Sequence, residues 1–223
     1  MNLKEQILVI DPASHTPELD CFNHIACNSK LPCSYHLPAL LSMRSLHSID
    51  PSLVKGIIVF GSATSVHDNI KWQDNFASWL FEEMLRGVPT LGLCYGHQLI
   101  AHVFGGEVGF FNVQKDKLKG FRKVEFEEDP RLNLTKSTGM SVVSHNEIVK
   151  KLHGELECWG SSELISFEAI RHKILPVWSA QAHLEATHEF LFNQGIQCLD
   201  KNMNFSFGHS IILSFLRFCK SQK

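Results

Sequence analysis

The stretch VPTLGLCYGHQLIAHVFGG, residues 88–106, decides the fold. Its first six residues form a short apolar run typical of a buried strand. Cys94 then begins a segment whose apolar residues recur at helical spacing until two glycines end it. The preceding residues repeat this order, with an apolar run at Gly56–Phe60 and helical spacing of large apolar residues over residues 68–86. Such alternation of strand and helix is typical of a parallel sheet covered by helices on both faces.

The flanking segments predict the remaining elements of one α/β domain. Residues 7–10 are expected to form a buried strand, and residues 11–50 a short helix and a second strand without clear bounds. Residues 107–166 carry short strands interrupted by polar residues, which indicates a small antiparallel sheet added to the core. A late core strand over Ile174–Trp178 and a closing helix over residues 210–219 complete the pattern. Because no repeat or linker divides the chain, residues 1–223 are expected to form a single domain.

The composition is that of an ordinary globular protein. The chain has 223 residues, of which 44% are hydrophobic and 20% charged, and its formal net charge is −2. These values exclude a disordered or collagen-like chain and give no basic surface for nucleic acid. No apolar run is long enough for a membrane span or a signal-peptide core, and seven cysteines without tight pairing are typical of reduced thiols. We therefore expect a cytoplasmic protein that binds neither nucleic acid nor membrane.

The segment Gly92–Gly96 has the spacing of a nucleophile elbow, with Cys94 as the nucleophile. Glycines two residues either side allow a sharp turn, because side chains there would collide with neighbouring backbone. The start of a helix favours a thiolate, and the next backbone N–H, that of Tyr95, points to where an oxyanion would form. The alternative interpretation is an ordinary buried cysteine at a strand–helix turn.

A base for this nucleophile is suggested by Gln181–Glu185, directly after the late strand. In an extended chain, His183 and Glu185 point to the same side, so Glu185 can hold one imidazole nitrogen while the other meets Cys94. The carboxyl end of a core strand is also where open α/β sheets place their sites. The alternative interpretation is a surface histidine beside a helix-start glutamate.

Four segments together resemble the class I (triad-type) glutamine amidotransferases. Gly92–Gln98 resembles their Gly-x-Cys-x-Gly-x-Gln signature, and Gln181–Glu185 resembles Gln-Phe-His-Pro-Glu. Gly61–Val66 resembles the oxyanion-loop motif Gly-Gly-Pro-x-Ser-Val, and Ser144–Glu147 resembles the Ser-His-Gly-Asp loop that flanks the glutamine pocket. The resemblance covers about residues 5–195 and is closest to the glutaminase domain of GMP synthetases and its stand-alone relatives.

This resemblance implies a three-layer α/β/α fold with a flavodoxin-like, mostly parallel central sheet, a nucleophile elbow and an added small antiparallel sheet. Cys94 would attack the side-chain amide of glutamine to form a γ-glutamyl thioester, releasing ammonia and then glutamate. His183 would move the proton and Glu185 would orient the imidazole. No metal and no cofactor are expected.

The resemblance also implies which residues surround the reacting group. The oxyanion would rest on the backbone N–H of Tyr95 and on one from the loop at Gly61 and Ser62. The residues expected to bind the substrate are Gln98, Ser144, His145 and Asn146.

Three departures from the family pattern fall near these positions. Ser62 and Ala63 replace the usual glycine and proline of the oxyanion loop, and serine would resist a positive φ there. Leu184 replaces the proline between the base and its partner carboxylate. Asn146 and Glu147 replace glycine and aspartate, which affects what the pocket accepts at the α-carbon end.

Three functions remain open at this point. A glutaminase would pass ammonia to a separate synthetase chain, because no phosphate-binding loop for ATP and no room for a synthetase domain are found here. A stand-alone γ-glutamyl peptidase or hydrolase would use the same thioester chemistry. A non-catalytic binding protein that has kept the fold is the third alternative. Glutamine or a γ-glutamyl compound is the expected ligand, and a second copy of the chain, as a homodimer, is a further candidate partner.

Overall fold

The computed structural model describes residues 4–197 and 205–222, and Cys198 lies outside these ranges. Its strands are β1 (Gln6–Ile10), β2 (Cys33–His36), β3 (Val54–Val59), β4 (Thr90–Leu93), β5 (Glu107–Phe110), β6 (Leu118–Phe126), β7 (Ser137–His145), β8 (Glu147–Lys151), β9 (Leu156–Ser161), β10 (Ala169–His172) and β11 (Val177–Ala180). Its helices are α1 (Leu19–Asn28), α2 (Pro38–Leu41), α3 (Arg44–His47), α4 (Lys71–Leu85), α5 (Tyr95–Val103), α6 (His188–Asn193) and α7 (Ser206–Ser221). No helix within these ranges is both long and apolar enough to cross a membrane.

Among the described residues, the main sheet has nine strands in the order β2-β1-β3-β4-β11-β10-β9-β6-β7. The first five strands are parallel, and each strand after β11 is antiparallel to its neighbour. The order of the parallel half is the flavodoxin-like order, with β11 as its fifth strand. The predicted α/β fold with a flavodoxin-like sheet is therefore confirmed. The segment predicted to form the small antiparallel sheet contributes to two sheets. Strands β5 and β8 form a separate two-stranded sheet, whereas β6, β7 and β9 extend the main sheet together with β10.

Helices cover both faces of the parallel half because its strands are apolar on both sides. Along β1, Ile7 and Val9 join a core with α1, α6 and α7, whereas Leu8 and Ile10 join a core with α4 and α5. Alternate residues of a strand point to opposite faces, so a continuous apolar run supplies both cores. The result is the predicted three-layer arrangement.

The late strand lies later in the chain than the sequence predicts. The prediction is Ile174–Trp178, but β11 is Val177–Ala180, and the side chain of Ile174 is 76% exposed. The ring of His172 accepts hydrogen bonds from the backbone N–H groups of Ile174 and Leu175 through Nδ1, at 3.1 and 3.0 Å. Ile174 and Leu175 therefore belong to a turn. The prediction relied on their apolar side chains alone and began the strand three residues too early.

A buried carboxylate joins the parallel half to the antiparallel half. Asp129, just after β6, accepts a hydrogen bond of 2.7 Å from the indole of Trp178 on β11. The same side chain forms ion pairs with Arg131 at 3.0 Å and Arg171 at 3.3 Å. Burial opposes its charge, but the hydrogen bonds from Arg131 and Trp178 outweigh this, so the pKa of Asp129 lies below its usual value.

The sheet also curls back on itself. The backbone N–H of His183, just beyond β11, donates to the carbonyl of Val142 on β7 at 2.8 Å. Because β7 is the last strand in the sheet order, this bond brings the far end of the antiparallel half over the carboxyl ends of the parallel strands.

Candidate active site

Cys94 occupies a strained turn between β4 and α5. Its backbone has φ 51° and ψ −100°, a conformation that non-glycine residues rarely adopt. A Cβ atom on Gly92 would lie 2.5 Å from the carbonyl oxygen of Gly96, and one on Gly96 would lie 2.6 Å from that of Val59. Both glycines are thus required by close backbone contacts, which is the physical reason for the spacing in the sequence.

His183 and Glu185 form a buried pair. Nδ1 of His183 lies 2.9 Å from Oε1 of Glu185, and the two residues are 7% and 1% exposed. The ring of Phe190 packs against the imidazole with centroids 4.4 Å apart. The imidazole is therefore held by a carboxylate and an aromatic ring, and the backbone of His183 is fixed by its hydrogen bond to Val142 of β7.

The thiol of Cys94 lies near the same imidazole and acts on it electrostatically, while its hydrogen-bond contacts are to Nε2 of Gln181 at 3.8 Å and to the carbonyl of Ser144 at 4.0 Å. Since Nδ1 is held by Glu185, Nε2 is the ring nitrogen available to the sulfur. Burial disfavours the protonated ring, but the electrostatic influence of Cys94 and Glu185 outweighs it and raises the pKa of His183 to about 10. At neutral pH, the ring between these two groups therefore carries a proton.

The loop after β3 comes close to the same imidazole. A Cβ atom on Gly61 would lie only 2.7 Å from Cε1 of His183, so glycine is needed for this approach. Ser62 is not among the residues with positive φ, so the serine in place of the family's second glycine causes no backbone strain. Its hydroxyl donates to the carbonyl of Pro12 at 2.8 Å, which ties this loop to the end of β1.

One cavity of about 280 Å³ connects these groups. Six residues singled out from the sequence line it, namely Gly61, Ser62, Cys94, Ser144, His183 and Glu185. The remaining four, Tyr95, Gln98, His145 and Asn146, are not part of its lining. Within the described ranges, no group of three or more His, Cys, Asp and Glu side chains is placed to hold a metal ion.

Three of the expected substrate residues instead hydrogen bond with backbone groups of residues that do not line the cavity. The side-chain amide of Gln98 donates to the carbonyl of Glu147 at 2.8 Å, and Nδ1 of His145 lies 3.1 Å from the same oxygen. The carbonyl of Asn146 accepts a hydrogen bond of 2.7 Å from the backbone of Phe111. Burial, aided by the charge of Arg122, lowers the pKa of His145 to about 3, so this ring is neutral at physiological pH. These residues fix the Ser144–Glu147 loop.

The segment between β1 and α1 supplies a wall that the motifs did not predict. Asp11 and Glu18 both line the cavity, and burial raises the pKa of each carboxyl group. Asp11 accepts hydrogen bonds from the hydroxyl of Tyr35 and from the backbone N–H groups of Ala13 and Glu18, the last two at 2.9 and 2.8 Å. The position of Asp11 in the sequence could have identified it as a site residue. Asp11 directly follows β1, which lies beside β3 in the sheet, and the carboxyl ends of parallel strands meet at one edge.

The opposite walls of the cavity are joined by a short series of side chains. The hydroxyl of Ser144 donates to Oε1 of Gln194 at 3.0 Å, and Nε2 of Gln194 donates to Glu18 at 3.4 Å. Asn193 donates to the other oxygen of Glu18 at 3.3 Å, and Lys117 lies at the exposed side. The cavity thus presents carboxylates on one side and an ammonium group on another.

The family model and the similar curated proteins are all described as glutamine amidotransferases or glutamine-hydrolysing enzymes. Residues 31–197 match the family described as glutamine amidotransferase class-I. One subunit of the glutamine-hydrolysing GMP synthase of Archaeoglobus fulgidus is 33% identical over 136 residues, which is 60% of this chain and 63% of that protein. The glutamine-hydrolysing GMP synthase of Desulfotalea psychrophila is 29% identical over 193 residues, or 84% of this chain and 34% of that protein. The matched segments thus span less than two thirds of the length of these relatives.

Solved structures share the fold at low identity. A glutamine amidotransferase from Methylobacillus flagellatus superposes with a TM-score of 0.73 at 15% identity, covering 99% of this chain and 96% of that one. A glutamine amidotransferase from Thermotoga maritima gives a TM-score of 0.72 at 13% identity, covering 99% and 100% of the two chains.

Proposed function

Because the chain belongs to the class I glutamine amidotransferase family, we propose that it hydrolyses the side-chain amide of glutamine to glutamate and ammonia. The observation that carries the proposal is the arrangement of Cys94, His183 and Glu185. A strained elbow holds the sulfur, the imidazole of His183 is in electrostatic contact with it, and the carboxylate holds the far side of the ring. All three residues line one cavity.

In the first half of the reaction, the sulfur of Cys94 attacks the amide carbon and forms a C–S bond. The electrons of the C=O bond move to the oxygen, which becomes an oxyanion. His183 then donates its proton to the amide nitrogen, the C–N bond breaks, and ammonia leaves with that pair of electrons. The products of this half are a γ-glutamyl thioester and a neutral imidazole. The raised pKa of His183 supports this order, because it places the proton on the ring before attack.

In the second half, water attacks the thioester and the neutral imidazole takes its proton. The new tetrahedral oxyanion collapses, the C–S bond breaks and glutamate is released. The sulfur is then again beside a protonated ring, as at the start. Glu185 accepts the hydrogen bond from Nδ1 throughout, which keeps the ring in one orientation.

We propose that the oxyanion rests on two backbone N–H groups, one from Tyr95 and one from the Gly61–Ser62 loop. Tyr95 is the first residue of α5, and the first N–H groups of a helix have no intrahelical acceptor. A typical donor of this kind contributes about 3 kcal/mol to transition-state stabilisation. The cavity wall suits an α-amino acid, with Glu18 available to its ammonium group and Lys117 to its carboxylate.

We further propose that residues 1–223 act as one glutaminase domain that delivers ammonia to a separate synthetase chain. The support is the similarity to the GMP synthase protein of Archaeoglobus fulgidus, whose name marks it as one subunit of a glutamine-hydrolysing enzyme. Mixing the protein with a synthetase chain from the same source and measuring ammonia-dependent product from glutamine tests this step.

The main test is the release of glutamate and ammonia from glutamine by the purified protein and by Cys94→Ala. We expect turnover in the wild type and a loss of at least about a thousandfold in the variant, because the covalent route needs the sulfur. A glutamine-analogue chloroketone should alkylate Cys94, as read by mass spectrometry. Equal rates in the two proteins would overturn the proposal, and cleavage of γ-glutamyl dipeptides in preference to glutamine would replace it with a peptidase.

A further inference from the structure

A directed chain of hydrogen bonds joins the oxyanion loop to the start of α4. Nε2 of Gln73 donates to Oγ1 of Thr64 at 3.0 Å, and Oγ1 of Thr64 lies 2.9 Å from Oγ of Ser62. Ser62 uses its single hydroxyl hydrogen on the carbonyl of Pro12, at 2.8 Å. The hydroxyl of Thr64 must therefore donate to Ser62, and the chain runs in one direction from Gln73 to Pro12.

Gln73 uses its whole side-chain amide in this region. Its second Nε2 hydrogen goes to the carbonyl of Ser65 at 2.9 Å, and its Oε1 accepts from the backbone N–H of Ile70 at 3.3 Å. The residue is 4% exposed. A fully satisfied buried amide allows few alternative positions for the groups that it binds.

The same glutamine lies beside the second half of the oxyanion hole. Tyr95 is 1% exposed, and its hydroxyl has no hydrogen-bond partner of normal geometry among the described residues. The ring of Trp72, the residue before Gln73, lies 6.4 Å from the ring of Tyr95, and Gln73 is among the side chains that act electrostatically on the hydroxyl. The first turn of α4 thus borders both elements that carry the oxyanion donors.

We propose that Gln73 is a positioning residue that sets the oxyanion hole, fixing the Gly61–Ser65 loop through Thr64 and Ser62 from a helical turn whose Trp72 lies beside Tyr95. The inference rests on the proposed amide hydrolysis. It also gives a reason for the altered loop, since Ser62 and Ala63 stand where family members usually carry glycine and proline. Proline fixes a backbone by its ring, and here the hydroxyl of Ser62 and its partners supply the restraint instead.

A purely structural role for Gln73 makes a different prediction. As the third residue of α4, it caps the helix by accepting from Ile70, and loss of that cap alone would lower stability without affecting the oxyanion. The test must therefore break the link to the loop and keep the cap. Thr64→Val does this, because it removes the hydroxyl and leaves the Ile70 and Ser65 bonds of Gln73 in place.

The variants to compare are Thr64→Val, Thr64→Ser, Gln73→Met and, as a matched control, Thr138→Val on the exposed face of β7. In Thr64→Val and Gln73→Met we expect kcat for glutamine to fall about tenfold with KM within about twofold, because the oxyanion donors act mainly in the transition state. Thr64→Ser restores the hydroxyl and should recover most of the rate. Thr138→Val should match the wild type.

Two further measurements separate stabilisation of the oxyanion from the reactivity of the thiol. The aldehyde analogue of glutamine forms a tetrahedral adduct with the sulfur and should bind about tenfold more weakly to Thr64→Val, whereas iodoacetamide, which forms no oxyanion, should alkylate Cys94 at the wild-type rate. If Thr64→Val keeps wild-type kcat and aldehyde affinity, the inference is wrong although the proposed function stands. If the wild type neither hydrolyses glutamine nor binds the aldehyde, the proposed function itself fails. Should Gln73→Met not fold, the Thr64 pair decides the matter alone.

Discussion

Replacing Gly61 with alanine should slow catalysis in a protein that remains folded. The new Cβ would lie 2.7 Å from Cε1 of His183, so the ring must move by about 0.7 Å to reach an ordinary contact of 3.4 Å. The hydrogen bond to Glu185 and the packing of Phe190 resist that movement. Because a displacement of about 1 Å in a reacting group can cost about a hundredfold in rate, we expect kcat/KM to fall between about tenfold and a hundredfold.

The stability of this variant should fall by about 1–3 kcal/mol, the usual cost of an added methyl group that displaces a packed side chain. Gly61 does not have a positive φ, so alanine fits its backbone, and the nearest atom belongs to a side chain at the edge of a cavity. The assay is steady-state hydrolysis of glutamine, together with urea unfolding. Gly109→Ala is the matched control, since its new Cβ would meet nothing closer than 4.0 Å. A Gly61→Ala protein with kcat/KM within twofold of the wild type would refute the reasoning, as would an equal loss in the control.

Two other substitutions test the electrostatics. Glu185→Gln removes a negative charge that helps to hold the pKa of His183 near 10. The ring of the variant then loses its proton at a lower pH, so the alkaline limb of the kcat/KM profile should shift to lower pH. An alkaline limb at the wild-type pH would contradict this. Asp129→Asn should lower the free energy of unfolding at pH 7 by about 2 kcal/mol, because a buried carboxylate with charged hydrogen-bond partners is lost. The folded pKa of Asp129 is lowered, so its stabilising effect is present above the unfolded value of 3.8 and disappears as pH falls through the folded value. Urea unfolding should therefore show the gap between wild type and variant closing below about pH 4, and a gap that stays constant would count against the assignment.

The parts of the site that the sequence predicts are those encoded by local geometry. The elbow around Cys94 depends on two glycines at fixed spacing, and the pairing of His183 with Glu185 joins residues two positions apart, although Leu184 and Glu185 lie in a turn and not in the extended chain that the prediction assumed. Both can be predicted from a few neighbouring residues because the backbone itself fixes the relation between the side chains.

The remaining parts depend on contacts between distant segments. Glu18 reaches the cavity through bonds to Asn193 and Gln194, more than 170 residues away along the chain. Gln98 carries a residue type typical of substrate binding, yet its amide is directed to the carbonyl of Glu147. No local pattern distinguishes a polar side chain that faces a cavity from one that satisfies a buried carbonyl. The early placement of the late strand has the same origin, since the turn held by His172 is invisible in apolar character.

The bond between His183 and Val142 has a consequence for the minimal unit that could be transplanted or redesigned. Cys94 is anchored in the parallel half, but His183 has its backbone anchored to β7, at the far end of the sheet order. A truncated protein that kept only the five parallel strands would retain Cys94 and lose the hydrogen bond that holds the backbone of His183. The antiparallel strands therefore cannot be exchanged for another element without affecting the position of His183 relative to Cys94.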